Sequence, residues 1–332
     1  MRKLLLSATA AGLLAAALVV AGCGSSGTGS QAPKQTSADG MTVAQILAKS
    51  RQAMDKVSSV TFAGEATFKV SSNGSSAAGL MLGAQPIDVR IIGKAGGVAG
   101  ATGTSTAAKA AAKAARADVA MSVAAGSQTV RLGFRTVGGH TWVNFQGAWY
   151  AVPPGKKSSA GTSTGAVKSA TGLGIDPSTW AASSTVTTEQ LNGAKAYHVV
   201  VKADTAAITG DLLKALSSSA FSKATGNAGN AGAELNLLQH DPALLNGLKK
   251  ALASASVEEW IDAASFRVVQ GAVDARLRFG SGQSATGLAV HATVGLRGFD
   301  EPVKVVSPAH ARPFKQLTNG LSGLSVGSGV GL

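Results

Sequence analysis

From Ser59 onward apolar residues recur at every second position, and that alternation restricts this chain to one kind of fold. In SVTFAGEATFKV, Phe62, Ala66, Phe68 and Val70 point one way, and Thr61, Glu65, Thr67 and Lys69 the other. The pattern returns in Ile87/Val89/Ile91, Val119/Met121/Val123, Val130/Leu132/Phe134 and Tyr197/Val199/Val201. It returns again in Val269/Val273/Leu277/Phe279 and Leu288/Val290/Val294/Leu296. The opposite faces carry Arg131, Arg135, Asp274, Arg276, Arg278, His291 and Arg297. Strands with one apolar and one polar face belong to antiparallel sheets with a wet side; strands of a parallel sheet read as unbroken apolar runs. Ala125-Gly126-Ser127-Gln128, Gln146-Gly147 and Leu191-Asn192-Gly193-Ala194 supply short turns between them. A meander of long antiparallel strands is predicted.

Helical periodicity is confined to a few segments. Thr42 with Gln45 makes a capping box and Met41 with Ile46 a hydrophobic staple. Val43, Ile46, Leu47, Met54 and Val57 share a stripe, so residues 43–56 are predicted to form an amphipathic helix. Residues 206–222 gather Ile208, Leu212, Leu213 and Leu216. Asp241-Pro242 opens a further helix with Leu244, Leu245, Leu248 and Leu252 as its stripe. The Ala/Gly-rich stretch at 95–116 has no apolar stripe and is taken as an insertion, and residues 313–332 as a disordered tail.

The N-terminus answers a different question. Arg2 and Lys3 precede an apolar run, Leu4 to Val20, that ends in Val20-Ala21-Gly22-Cys23. The run is at or below the ~20 residues needed to span a bilayer, and this order of features is that of an exported chain's leader. Its last four residues resemble the bacterial lipobox. That resemblance implies cleavage after residue 22, diacylglycerol on the Cys23 sulfur and an N-acyl chain on Cys23. One acyl chain binds a membrane marginally, and two or three bind it durably. Residues 23–40, rich in Gly, Ser, Thr and Gln, are then a flexible tether, and residues 41–312 the folded domain.

Composition excludes several functions. Cys23 is the sole cysteine, so no disulfide stabilises the fold and an apolar core must. The formal charge of +13 becomes +11 without Arg2 and Lys3. Those cations are scattered singly and aromatic residues are 5% of the chain, which argues against nucleic-acid binding. His140, His198, His240, His291 and His310 have no metal-ligand spacing, and no nucleophile elbow, phosphate-binding loop or dinucleotide fingerprint occurs. Glu258, Glu259 and Asp262 are the densest acidic group, but alternation puts Glu258 and Glu259 on opposite faces, against a paired-carboxylate site. Trp142, Trp149 and Tyr150 gather at one hairpin, as cross-strand packing, a ligand lip or a membrane-contact edge.

The order of these features resembles a known family. A helix runs into SSVTFAGEATFKV, followed by GGHTWVNFQGAWYAV, LNGAKAYHVVVKAD, VEEWIDAASFRVVQGAVDARLRF and EPVKVVSP. In layout this is similar to the LppX/LprG lipoproteins, relatives of the LolA/LolB lipoprotein-localisation factors, over residues 42–310. The resemblance implies an α+β fold: a strongly curved antiparallel sheet, an unclosed barrel, with helices packed on its concave face over an apolar cavity. Cavity positions would be Phe62, Phe68, Met121, Val123, Leu132, Phe134, Leu245, Leu248, Val273, Leu277, Leu288 and Val290.

The expectation is a non-enzymatic, monomeric lipoprotein, lipid-anchored on the extracytoplasmic face of the cell membrane. It would bind and carry lipids or lipidated molecules without cofactor, metal or nucleic acid, in exchange with an envelope transporter. The alternative is a structural lipoprotein with a solid core that binds an envelope protein or wall polymer.

Overall fold

The capping box forms as expected. Thr42 Oγ1 accepts from the Gln45 backbone N–H, and Gln45 Oε1 accepts from Thr42 N–H at 2.8 Å. Helix α1 (Val43–Met54) follows and buries Val43, Ile46 and Ser50. Ahead of it β1 (Ser37–Ala38) and β2 (Met41–Thr42) pair across Asp39–Gly40, whose φ values of 52° and 75° are those of a tight hairpin turn. The structure, a computed structural model, describes residues 37–72, 85–97, 114–153, 181–208, 251–279 and 286–323.

Twelve strands make the main sheet: β3 (Ser59–Ser72), β4 (Ile87–Gly96), β5 (Arg116–Ala125), β6 (Gln128–Val137), β7 (His140–Phe145), β8 (Ala148–Ala151), β9 (Ala181–Leu191), β10 (Ala194–Ala203), β11 (Leu252–Asp262), β12 (Val268–Phe279), β13 (Thr286–Arg297) and β14 (Arg312–Pro313). Their order is β14-β8-β7-β6-β5-β4-β3-β13-β12-β11-β10-β9, so the sheet has two edges and does not close. Every pair is antiparallel except β14 on β8. Right-handed twist of roughly 20–25° per neighbouring pair accumulates over so many strands, and such sheets curl rather than lie flat.

Turn chemistry sets the hairpins. Gln146–Gly147 and Asn192–Gly193 have both central φ values positive, as expected, and so has Gly138–Gly139 between β6 and β7. The α1 stripe packs on one sheet face, where Val43 and Ile46 meet Val186, Tyr197, Val199, Ile261 and Val268. Met41 and Leu47 pack against the same cluster, which places the staple residue as expected.

Four expectations are corrected. Leu252 begins β11 opposite Leu277 and does not end a helix, because the run that follows it alternates and pairs along β12. Val268, 4% exposed, replaces Val269 on the apolar face, since the ladder shifts between Trp260 and Ile261 and such a bulge reverses side-chain direction. The tail opens with helix α2 (Phe314–Gly323), where Leu317 is buried and Phe314, three residues earlier, is half-buried. The insertion is narrower than 95–116, because β4 runs to Gly96 and β5 starts at Arg116. Of the helix expected at 206–222, a first turn at 205–208 is seen, with Asp204 Oδ1 accepting from Ala206 N–H at 2.8 Å. The rest of it, and residues 241–250, lie outside the described residues.

Residues 298–313 form a strap across the strand ends on the polar side. Asp300 Oδ1 accepts from the Ser58 N–H and hydroxyl at 2.8 and 3.0 Å, and Arg267 pairs with its other oxygen. Val303 lies on Gly96, where a Cβ would come within 3.0 Å of it, and Arg135 donates to the Val306 carbonyl at 3.0 Å. β14 fixes the far end on β8.

The Ser58 hydrogen bonds, backbone first, with Arg267 beside them, hold the Asp300 carboxyl below its ordinary value of 3.8. A lowered carboxylate pKa contributes stability above the unfolded value, and that contribution disappears as pH falls through the folded value. Asp300→Asn keeps a residue tolerant of the φ of 63° and removes the charge. Its denaturant midpoint should lie below wild type at pH 7, with the gap narrowing below pH 3.8. A gap that stays constant through that range would show that the carboxylate does not hold the strap.

Candidate functional site

The register puts the apolar positions of the whole sheet on one face. Reading across neighbouring strands, Val130, Val123, Val89, Ala66, Ala292, Val273, Val257 and Val201 stand in one directly paired row from β6 to β10. Five consecutive members are buried: Val123, Val89, Ala66, Ala292 and Val273, between 5 and 9% exposed. The next row holds Ile87, Phe68, Val290 and Ala275, and the one beyond it Val70, Leu288 and Leu277. On the other side run Leu132, Met121 and Ile91, then Phe134, Val119, Gly93, Phe62 and Leu296.

Ten of the expected cavity residues therefore share this inner face: Phe62, Phe68, Met121, Val123, Leu132, Phe134, Val273, Leu277, Leu288 and Val290. Leu245, Leu248 and Cys23 lie outside the described residues. Phe68, Val123 and Val273 are buried, whereas the other seven are half-buried. The face thus has a buried middle row with partly open hydrophobic positions on both sides.

Phe62 does not stand up from the sheet. A Cβ on the opposed Gly93 would lie 2.6 Å from Phe62 Cζ, so the ring lies flat over that glycine. Glu259 is the one carboxylate on the inner face of the large sheet among the described residues, and it is 4% exposed. It stands between Val199 and Gly271, and the missing side chain of the glycine leaves it room. Glu258 faces the other way, as expected.

The outer face is polar and internally paired. His198 is not an ordinary exposed histidine: it stacks on Trp260 with centroids 4.2 Å apart, and its Nε2 is 2.9 Å from Glu258 Oε2. Glu189 completes this group, accepting from the Trp260 indole N–H. Sequence alone missed the cluster because its members come from three strands whose pairing it did not specify. His291 sits 2.9 Å from Asp274. At the start of the domain Asp39 accepts from Tyr197 at 3.0 Å and pairs with Lys195 at 2.7 Å. These partners, Lys195 foremost, hold the Asp39 carboxyl below its ordinary value, while burial pushes the Tyr197 phenol up. Among the described residues no three of His, Cys, Asp and Glu are arranged to hold a metal ion. No described helix is long and apolar enough to cross a membrane.

The aromatic hairpin is divided by strand alternation. Tyr150 is buried opposite Val143 on the inner face, while Trp142 and Trp149 are half-buried on the outer one. Arg135 covers the Trp149 ring at 4.6 Å and bonds Asp118 at 2.8 Å.

No family model and no curated protein matches the sequence. Among solved structures the fold is similar to LprF from Mycobacterium bovis, at 14% identity and a TM-score of 0.34, covering 80% of this chain and 96% of that one. It is similar to the Mycobacterium tuberculosis lipoprotein LppX at 13% and 0.33, covering 79% and 96%. Lipovitellin, solved for its lipid–protein interactions, follows at 10% and 0.28, covering 77% of this chain and 27% of its own. LprF and LppX are mycobacterial lipoproteins of the LppX/LprG family, to which the sequence resemblance pointed. The overlap is loose, and the properties of the face follow from this chain's own residues.

Gly93→Ala tests the flat placement of Phe62. The new methyl must displace the ring and also meets the Asp118 carbonyl at 3.0 Å. Overpacking of this kind costs about 1–3 kcal/mol, read as a lowered urea midpoint. The same substitution in a Phe62→Ala background should cost clearly less; equal costs in both backgrounds would place the ring elsewhere.

Proposed function

We propose that this chain is a lipoprotein, anchored through acylated Cys23 on the outer side of a bacterial cytoplasmic membrane, that carries lipids or acylated molecules on the inner face of its sheet. The observation that supports this most directly is the single continuous apolar face, with half-buried Met121, Leu132, Leu277, Leu288 and Val290 flanking its buried row. A face meant only as packed core has no need of a partly open border of that extent. The helices that the family resemblance implies at 206–222 and from Asp241 onward, the second carrying Leu245 and Leu248, would in this reading cover the face and complete an apolar compartment.

Binding needs no covalent step. An acyl chain leaves water for the sheet face while its polar end stays at the rim, and each buried CH₂ contributes ~0.8 kcal/mol. A few hundred Å² of chain, at ~25 cal/mol per Å², gives several kcal/mol, which permits both capture and release. No nucleotide, metal or prosthetic group enters this scheme.

The buried row favours the second reading, an interaction lipoprotein with a solid core. Two substitutions separate them. Val123→Trp falls in the buried row and should cost at least 1–3 kcal/mol under either reading. Val290→Trp falls in the half-buried row. In a carrier it should leave the denaturant midpoint nearly unchanged and abolish uptake of a fluorescent fatty acyl probe. Equal destabilisation by both variants, with no probe uptake by wild type, would favour the solid core.

A further inference from the structure

On the polar outer face one strand position breaks the pattern: Ile92 is 60% exposed. The register explains why it stands clear. Ile92 pairs with Ala63 on β3 and with Ala120 on β5, and the same row continues to Gly295 and Gly133. Its neighbours are too small to cover it. Both flanking rows carry cations, Arg90 and Arg131 on one side, Lys94 and Arg297 on the other. The acids of those two rows are Glu65, directly opposite Arg90, and Asp118, bonded to Arg135 at 2.8 Å. Among the described residues Lys94, Arg131 and Arg297 have no ion pair. The strap adds Val306, 76% exposed, whose carbonyl accepts from Arg135 at 3.0 Å. The exposed large hydrophobic side chains of the described residues, Ile92 and Val306, thus belong to one cation-framed patch.

We propose that this patch docks on an anionic lipid surface, with Ile92 and Val306 entering the headgroup layer and Lys94, Arg131 and Arg297 meeting lipid phosphates. The cations stand on β4, β6 and β13 and do not converge on one point. Such spacing suits a plane of repeated negative charge, not a single anion. Each Lys or Arg near an anionic membrane strengthens association by about fivefold, and aliphatic side chains beside them bury at the boundary of headgroups and acyl chains. A second copy of the chain fits the patch poorly, because a twofold axis at Ile92 would set the same cations against each other. The bilayer is also within range. With Cys23 acylated as proposed above, residues 23–36 extended at ~3.5 Å each reach roughly 50 Å. Only that reach rests on the anchor reading; the patch lies on the face opposite the acyl-binding rows and does not depend on lipid carriage.

The test is co-sedimentation of the chain from residue 23 onward, carrying Cys23→Ser, with vesicles of mixed phosphatidylglycerol and phosphatidylcholine and with vesicles of phosphatidylcholine alone. The mixed vesicles should bind it at about 0.1 M salt and release it at about 1 M, where the Debye length falls from ~10 to ~3 Å. Phosphatidylcholine alone should bind it weakly at both. Ile92→Ser changes an exposed side chain and should weaken binding to the mixed vesicles several-fold. Arg131→Gln with Arg297→Gln, both exposed, should weaken it about 25-fold, roughly fivefold for each cation. Arg276→Gln with Arg278→Gln removes the same charge from exposed positions elsewhere on the outer face, and should cost clearly less. Equal losses in the two double variants, equal binding to both kinds of vesicle, or no binding at the lower salt would overturn the proposal. So would a dimer of the lipid-free chain that Ile92→Ser dissociates, since the patch would then belong to a second copy.

Discussion

The pairing of β13 with β3 joins the two halves of the chain, residues 59–151 and 181–297, into one sheet, in a register that sets Val290 against Phe68 and Ala292 against Ala66. Side chains alternate with a period of two, so a shift of one residue there would turn the apolar set of one half toward water. Each half carries its own hairpins, closed by tight turns whose positive φ values are met by Gly and Asn, and at Gln146 and Phe266. Only the β3–β13 ladder makes their apolar faces one. The continuous row from Val130 to Val201 exists because this one long-range register is kept.

An open sheet of this width leaves two edges and two faces to satisfy. Helix α1 covers the β9–β11 end of the inner face, with Asp39 fastening the hairpin before it to Tyr197 and Lys195. The strap crosses the other half, clamped at Asp300 and at β14. Pro313 is tolerated there because β14 is an edge, where a missing N–H breaks no ladder. These local fixings accompany an inner face whose row from Val130 to Val201 is apolar across the ladders from β6 to β10, interrupted elsewhere by the buried Glu259, in a sheet that does not close.

Much of this was legible in the sequence, for identifiable reasons. Period-two alternation needs no tertiary information, so the face that holds Phe68, Val123 and Val290 followed from residue spacing alone, and so did the Thr42–Gln45 cap. What escaped depends on partners distant in sequence. The shift of Val268 onto the apolar face comes from a bulge opposite Ile261, which no residue pattern announces. Leu252 suited a helical stripe and a strand equally, and pairing with Leu277 decided it. The His198–Trp260–Glu258–Glu189 group spans three strands, and Ile92 stands clear only because β4 pairs it with Ala63 and Ala120. In both cases the topology, not the local sequence, brings the residues together.

The central claim is that the inner face binds acyl chains, and it is tested most directly by what the protein carries when isolated. The chain with Cys23→Ser should be produced in its native host, recovered from the soluble fraction, purified without detergent, extracted with organic solvent and analysed by mass spectrometry. The account predicts acylated molecules in stoichiometric proportion to protein, lost in Val290→Trp. A well-folded, soluble protein that yields no lipid would contradict it.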